Sequence, residues 1–121
     1  MQTLRGLGDR ISPHLHATEI RTAAADDLWL SPAYERHSLC IGFTWRKHPT
    51  EVMTLLRDIE AALATYEPRP HWGKLFVFSD DDLAQRFPRL PDFLESTRTY
   101  DPTGKFSNAF IDWGAGHSRS S

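Results

Sequence analysis

Residues Ser38-Leu-Cys-Ile-Gly-Phe-Thr-Trp45 form an apolar, β-branched and aromatic run bounded by polar residues. This composition is typical of a buried or half-buried strand. Directly after it, Pro49-Thr-Glu51 predicts the start of a helix with Thr50 as its N-cap, and apolar residues then recur on one helical face as far as Tyr66. A strand followed by a long amphipathic helix indicates an α+β layer.

A second strand, with charge on one face, precedes this unit. From His16 the sequence alternates, so that Glu19 and Arg21 point to one side and apolar or hydroxyl-bearing residues point to the other. Helices are expected over residues 2–10, over 83–87 after the acidic run 80–82, and over 90–100, where the last helix is followed by a turn at 101–104. We expect a small, mainly antiparallel sheet flanked by helices over residues 1–113, and a disordered tail over 114–121.

Length and charge exclude several classes of protein. The chain has 121 residues, which is enough for one domain, and its 14 lysines and arginines against 16 acids give no basic field for nucleic acid. No apolar run approaches the roughly 18 residues of a membrane span. Cys40 is the only cysteine, so no intrachain disulfide can form, and we expect a cytoplasmic protein without nucleic-acid or membrane partners.

Familiar site motifs are absent from the sequence, which has no glycine-rich phosphate loop, no Gly-x-Ser-x-Gly, no His-Glu-x-x-His and no paired cysteines. His14-Leu-His16 places two imidazoles on one side of an extended segment, but no further ligand cluster accompanies them. Asp80-Asp-Asp82 lacks the spaced oxygen ligands of a calcium loop and suits the start of a helix. No metal site is therefore expected.

Glu19 and Arg21 are the first candidates for binding. Their spacing on a strand sends a carboxylate and a guanidinium to the same face, where together they can accept from and donate to the hydroxyl groups of a polyol. The alternative is an ordinary salt bridge on an exposed strand.

The second candidate is the segment His71-Trp-Gly-Lys74. It follows two prolines, Gly73 would allow close approach of a flat ligand, and Lys74 supplies a fixed positive charge. Such a charge stabilises negative charge that develops on a substrate oxygen. The alternative is a structural Trp72 beside a surface lysine.

Taken in order, five segments resemble the C-terminal part of sugar-alcohol (alditol, xylitol) and aldonolactone oxidases, which are flavoproteins of the vanillyl-alcohol-oxidase type. They are Glu19-Ile-Arg-Thr22, Ala25-Asp-Asp-Leu-Trp-Leu-Ser-Pro32, Phe43-Thr-Trp45, His71-Trp-Gly-Lys74 and Asp101-Pro-Thr-Gly-Lys-Phe-Ser-Asn108. The resemblance covers nearly the whole chain. It implies that residues 1–113 are a C-terminal domain of the D-arabinono-1,4-lactone/alditol oxidase type.

The resemblance also implies a site and a cofactor. Glu19, Arg21, Thr44 and Lys74 would line the pocket for a small polyol or sugar lactone, with Arg21 and Lys74 as catalytic residues and His71 as a cofactor contact. FAD would be bound mainly by a domain absent from this chain. The reaction would oxidise a CH–OH group, with the hydride passing to the flavin and oxygen as the acceptor.

One position departs from the family pattern, since Gly42 stands where a histidine usually precedes Phe-Thr-Trp by one residue. A candidate proton acceptor is then missing, and His71 is the alternative. Two hypotheses follow: the substrate-binding portion of an oxidase, or a non-catalytic polyol-binding module or small subunit that docks on a separate flavin-binding chain. Self-association through exposed apolar surface is a further expectation.

Overall fold

A computed structural model describes residues 2–112 and has an α+β architecture, as the sequence predicts. Two strands form the sheet, and short and long helices lie before and after it. In chain order the elements are α1 (Gln2–Arg5), α2 (Gly8–Ile11), a 3-10 turn (Ser12–His14), β1 (Leu15–Ala23), β2 (Ser38–Trp45), α3 (Pro49–Leu63), a 3-10 turn (Ala64–Tyr66), α4 (Asp80–Arg86), α5 (Leu90–Tyr100) and α6 (Ala109–Asp112).

The sheet consists of β1 and β2 paired antiparallel. Glu19 lies opposite Gly42 and Arg21 lies opposite Cys40, with one irregularity in register between Leu15 and Ala17. The connection between the strands is held by an isolated bridge between Asp26 and Tyr34. In this part of the chain each strand has one neighbour, so the outer edge of each is unpaired.

One core cluster joins α3 to the sheet and to the N-terminal helices. Ile11, Leu55 and Ile59 are buried at its centre. Phe43 and Trp45 of β2 stack on each other, with ring centroids 5.1 Å apart, and pack against this cluster. The apolar periodicity of α3 is thus explained by the sheet that it covers.

A second core cluster is built by α4, α5 and the loop before them. Leu83, Phe87 and Leu90 are buried there, and Phe87 is completely inaccessible to solvent. Trp72 packs on Phe87 at 4.7 Å between ring centroids and donates from its indole nitrogen to the carbonyl oxygen of Leu30. Trp72 therefore has a structural role in this cluster.

Polar side chains connect the loops to these clusters. Arg69 donates to the carbonyl oxygens of Arg86 (2.7 Å), Tyr34 (2.7 Å) and Pro32 (3.3 Å). Glu60 of α3 accepts from the backbone N–H of Val77 at 2.7 Å. Burial raises the pKa of Glu60, and the bond from Val77 partly offsets that rise.

The helix boundaries correct several predictions. Thr50 is not the N-cap of α3, because Pro49 already occupies the first turn and His48 stands at the cap without a side-chain bond to the helix. The helix predicted over 2–10 is divided into α1 and α2, with a break at Gly6 and Leu7. Residues 90–100 are not the last helix, because α6 follows.

Other local predictions are confirmed. Ser79 caps α4 in a reciprocal capping box with Asp82, so the acidic run is a helix start. The turn after α5 is closed by Asp101, whose carboxylate accepts from the N–H groups of Lys105 and Phe106, and Gly104 adopts a φ of 68°. The predicted tail at 114–121 lies outside the described residues. None of the helices in residues 2–112 is long and apolar enough to cross a membrane.

Candidate functional site

Three of the four predicted substrate residues lie on the same face of the sheet. Directly opposed residues in an antiparallel pair project to the same side, so the register places Ala17, Glu19 and Arg21 of β1 with Thr44, Gly42 and Cys40 of β2. We call these six residues the polar face. The opposite face carries Phe43, which packs toward α3, so the polar face points away from that helix.

Glu19 and Arg21 form an ion pair, with Oε2 of the glutamate 2.9 Å from NH2 of the arginine. Both side chains are open to solvent, at 64% and 72% exposure. A pair this exposed adds little to stability, and its groups can turn toward a ligand at small cost. This geometry is compatible with both interpretations of the sequence, which are a surface salt bridge and a donor–acceptor pair suited to hydroxyl groups.

Gly42 leaves open space in the middle of the polar face. A Cβ built on it would lie 3.9 Å from Cβ of Glu19, which is ordinary contact. A larger side chain would therefore fit at this position without displacing the backbone. In this chain the space beside Glu19 is free for another molecule.

Lys74 comes from a different part of the structure. Its backbone N–H donates to the carbonyl oxygen of His71 at 3.0 Å, which closes a turn in the loop before α4. Its side chain is exposed, and within residues 2–112 no hydrogen bond or ion pair joins it to Glu19, Arg21 or Thr44. The structure thus unites three of the predicted residues and leaves the fourth separate.

The glycine of the same turn has a local explanation. The N–H of Gly73 donates to Nδ1 of His71 at 3.0 Å, and a Cβ at position 73 would lie 3.3 Å from Cε1 of that ring. On the side where a Cβ would point, Gly73 accommodates the imidazole of His71. With Nδ1 occupied, Nε2 is the atom of His71 that remains for a cofactor or substrate contact.

Two surface cavities within residues 2–112 are lined by residues other than the four candidates. One shallow cavity lies at the end of the sheet where β1 ends and β2 begins, and it is lined by Thr22, Ala23, Ala24, His37, Ser38 and Leu39. A second cavity lies between the N-terminal segment and α3, and it is lined by Arg10, Pro13, His14, Thr50, Glu51, Thr54 and Leu55. Neither contains Glu19, Arg21, Thr44 or Lys74. The polar face is an open surface, and a pocket over it requires something to cover it.

Cys40 belongs to the polar face but is not among the site residues that the sequence predicts. It lies opposite Arg21 and is exposed. The signal is present in the sequence, because Cys40, Gly42 and Thr44 alternate along one strand and must share a side.

The histidines are arranged differently from the sequence prediction. His14 ends a 3-10 turn and contacts His48, which lies in the loop between β2 and α3. His16 is the residue at the irregularity in the register of β1. Residues 2–112 contain no group of three or more His, Cys, Asp or Glu side chains arranged to hold a metal ion.

Comparison with known proteins defines the family to which the chain belongs. The family model described as D-arabinono-1,4-lactone oxidase matches residues 4–113, so the chain belongs to that family.

Three relatives are similar to this chain over most of its length. The chain is 44% identical to an alditol oxidase from Streptomyces sp. over 103 residues, which is 85% of this chain and 25% of the relative. It is 31% identical over 101 residues to L-gulono-1,4-lactone dehydrogenase of Mycobacterium tuberculosis, covering 84% and 23%. It is 27% identical over 100 residues to L-gulonolactone oxidase of Mus musculus, covering 80% and 23%. The chain spans about a quarter of the length of these relatives.

Proposed function

We propose that this chain is the substrate-binding, C-terminal portion of an FAD-dependent oxidoreductase that oxidises the CH–OH group of an alditol or aldonolactone with oxygen as acceptor. Family membership and the names of the relatives support this class of reaction. The observation that carries the proposal is the polar face, where Glu19, Arg21 and Thr44 stand together on a surface with free space beside Gly42.

The described residues do not fit FAD as a ligand of this chain alone. The polar face is open, no glycine-rich loop is available for the pyrophosphate, and His71 has one ring nitrogen already engaged in its own turn. FAD is therefore assigned to a domain outside this chain, and the part left to this chain is to bind the substrate.

The chain's own residues can bind and orient a polyol. Arg21 would donate to the reacting oxygen and favour its alkoxide character, and Lys74 would do the same if the flavin-binding domain, here called the covering domain, brings it close. Glu19 would accept from neighbouring hydroxyl groups, and Thr44 can both donate and accept. Because a polyol offers no charge to hold, several converging hydrogen bonds must fix its orientation.

A second candidate function is a non-catalytic polyol-binding module, or a small subunit that docks on a separately encoded flavin-binding chain. Gly42 favours it, because no side chain at this position can take a proton from the substrate. A cytoplasmic location is part of both proposals and rests on the single cysteine, Cys40.

Affinity purification of the tagged chain from its native cells tests the proposal. The purified material is examined for flavin absorbance between about 350 and 500 nm and for a second polypeptide. A yellow complex that oxidises xylitol, sorbitol or an aldonolactone supports an oxidase, and the same complex without turnover supports the docking module. A colourless chain without a partner contradicts an assembled oxidase and leaves a truncated remnant or a flavin-free binding module.

A further inference from the structure

The imidazole rings of His14 and His48 are in direct contact at the end of the sheet where β1 begins and β2 ends. Their Nδ1 atoms are 2.9 Å apart, and the rings stand edge to face with an angle of 88° between their planes. The two residues are 34 positions apart in the sequence. This contact is independent of the polar face and of the function proposed above.

Backbone hydrogen bonds hold both histidines in place. The N–H of Arg46 donates to the carbonyl oxygen of His14 at 2.8 Å, and the N–H of His48 donates to the carbonyl oxygen of Arg46 at 2.8 Å. The guanidinium of Arg46 also donates to the carbonyl oxygen of Leu15 at 3.2 Å. The segment before β1 and the loop after β2 are therefore joined by backbone hydrogen bonds, and the two imidazoles contact each other without a ligand.

His48 occupies a position where a helix usually has a different side chain. It stands at the N-cap of α3, and its carbonyl oxygen accepts the helix bond from Val52 at 2.9 Å. Serine, threonine, asparagine or aspartate is preferred there because its side chain satisfies a free N–H of the first turn. The His48 ring makes no such bond and turns to His14 instead.

We propose that His14 and His48 bind one divalent transition-metal ion, of the Zn²⁺ or Cu²⁺ class, through their Nδ1 atoms, with water completing the coordination. Imidazole nitrogen is a preferred ligand of these ions. Two nitrogens that coordinate one tetrahedral zinc at roughly 2.0–2.1 Å are about 3.4 Å apart, so the pair has to open by about 0.5 Å. Small rotations of the two side chains supply that movement.

The tautomers of the two imidazoles allow chelation. In the neutral pair one Nδ1 donates its hydrogen and the other accepts it. When the metal enters, the donating ring holds its proton on Nε2 instead, so both Nδ1 lone pairs face the ion and no proton has to leave.

The surrounding charges do not block a cation. Arg10 lines the same cavity as His14, between the N-terminal segment and α3, and it is already paired with Asp58. Glu51 adds a carboxylate to the lining of that cavity. Arg46 directs its Nε–H to the carbonyl oxygen of Leu15. Lys47 is the other nearby cation in the sequence, and its exposed side chain is screened by water.

Isothermal titration of the untagged 121-residue chain with ZnCl₂ and CuCl₂ tests the site. His117, which lies outside the described residues, is replaced by alanine in every sample so that it contributes no ligand. We expect one ion per chain, with copper bound more tightly than zinc. His14→Ala and His48→Ala should each weaken binding by about tenfold or more, because each removes one of two protein ligands.

Control variants separate metal binding from folding. His16→Ala and His37→Ala remove histidines that do not take part in the pair, and they should leave the affinity unchanged. His48→Asn provides a side chain suited to the N-cap, so it should keep the fold by circular dichroism while losing the metal. Unchanged binding in the double variant His14→Ala/His48→Ala, or no binding by the parent chain, would overturn the proposal.

Discussion

Glu19 and Arg21 lie two residues apart on β1 with carboxylate and guanidinium 2.9 Å from each other, and nothing in residues 2–112 covers them. An ion pair kept at the surface in this way contributes little to folding. A role in binding would therefore be separate from any role in folding. This separation between stability and binding makes the pair easy to test.

Replacing Arg21 by alanine should leave the fold intact and remove turnover in a flavin-containing complex. The free energy of unfolding should change by less than about 1 kcal/mol, because the pair is exposed. Urea unfolding measures the first effect and an oxidase assay with polyols measures the second. Arg57→Ala, on the exposed side of α3, is the matched control. Normal turnover in the Arg21 variant would remove this residue from the site.

Lys74→Ala should behave in the same way for a different reason. Within the described chain Lys74 has no ion pair, so the loss of its charge should not affect stability. If the covering domain brings it to the substrate oxygen, turnover in the complex should fall sharply. The control is Lys47→Ala, and equal rates for the two variants would show that the charge at position 74 is not used.

Phe87→Ala should be the most damaging of these substitutions. Phe87 is fully buried between Trp72 and the helices of the second core cluster, so its removal leaves a cavity. The expected loss is about 3–5 kcal/mol in the free energy of unfolding. Phe106→Ala, at a phenylalanine that is 76% exposed, should change it far less. Similar urea midpoints for the two variants would contradict the packing described for this cluster.

Ser79→Ala should weaken α4 in a pH-dependent manner. Hydrogen bonds from the side chain and backbone of Ser79 lower the pKa of Asp82, so this carboxylate stabilises the folded state above its ordinary pKa and loses that effect as the pH falls through its folded pKa. The variant should therefore lose more stability at pH 7 than below about pH 4, relative to the parent protein.

Thr50→Ala is the control for the capping experiment. The sequence suggests Thr50 as a cap, but its side chain does not cap α3. We therefore expect unfolding curves that match the parent protein at both pH values. A loss as large as that of Ser79→Ala would show that α3 begins at a different residue.

Elements with strong local signals are predicted closely by the sequence. The strand over 38–45 and the helix over 90–100 have the predicted bounds, because β-branched and aromatic residues favour the first and apolar periodicity after Pro88 favours the second. The shared side of Glu19, Arg21 and Thr44 follows from strand alternation once the pairing is known. The pairing itself is a tertiary feature.

Contacts between distant segments could not be predicted. His14 meets His48, and Arg69 reaches carbonyl oxygens 35 and 37 residues away, without any local pattern that signals either. The capping error at Thr50 has a similar origin, since Pro49 fixes the first turn and shifts the cap back by two residues to His48. Local sequence patterns predict single segments, whereas contacts between loops and distant segments depend on the packing of the whole fold.

Within residues 2–112 the outer edges of β1 and β2 are unpaired, which has a practical consequence for crystallography. At the concentrations used for crystal growth, exposed backbone donors and acceptors of neighbouring molecules can join into a continuous sheet. A crystal formed in this way would contain a regular, hydrogen-bonded interface between strands of neighbouring molecules. That interface would result from crystal packing of the free strand edges. Scattering or sedimentation in dilute solution should accompany any crystal before such an interface is interpreted as a biological assembly.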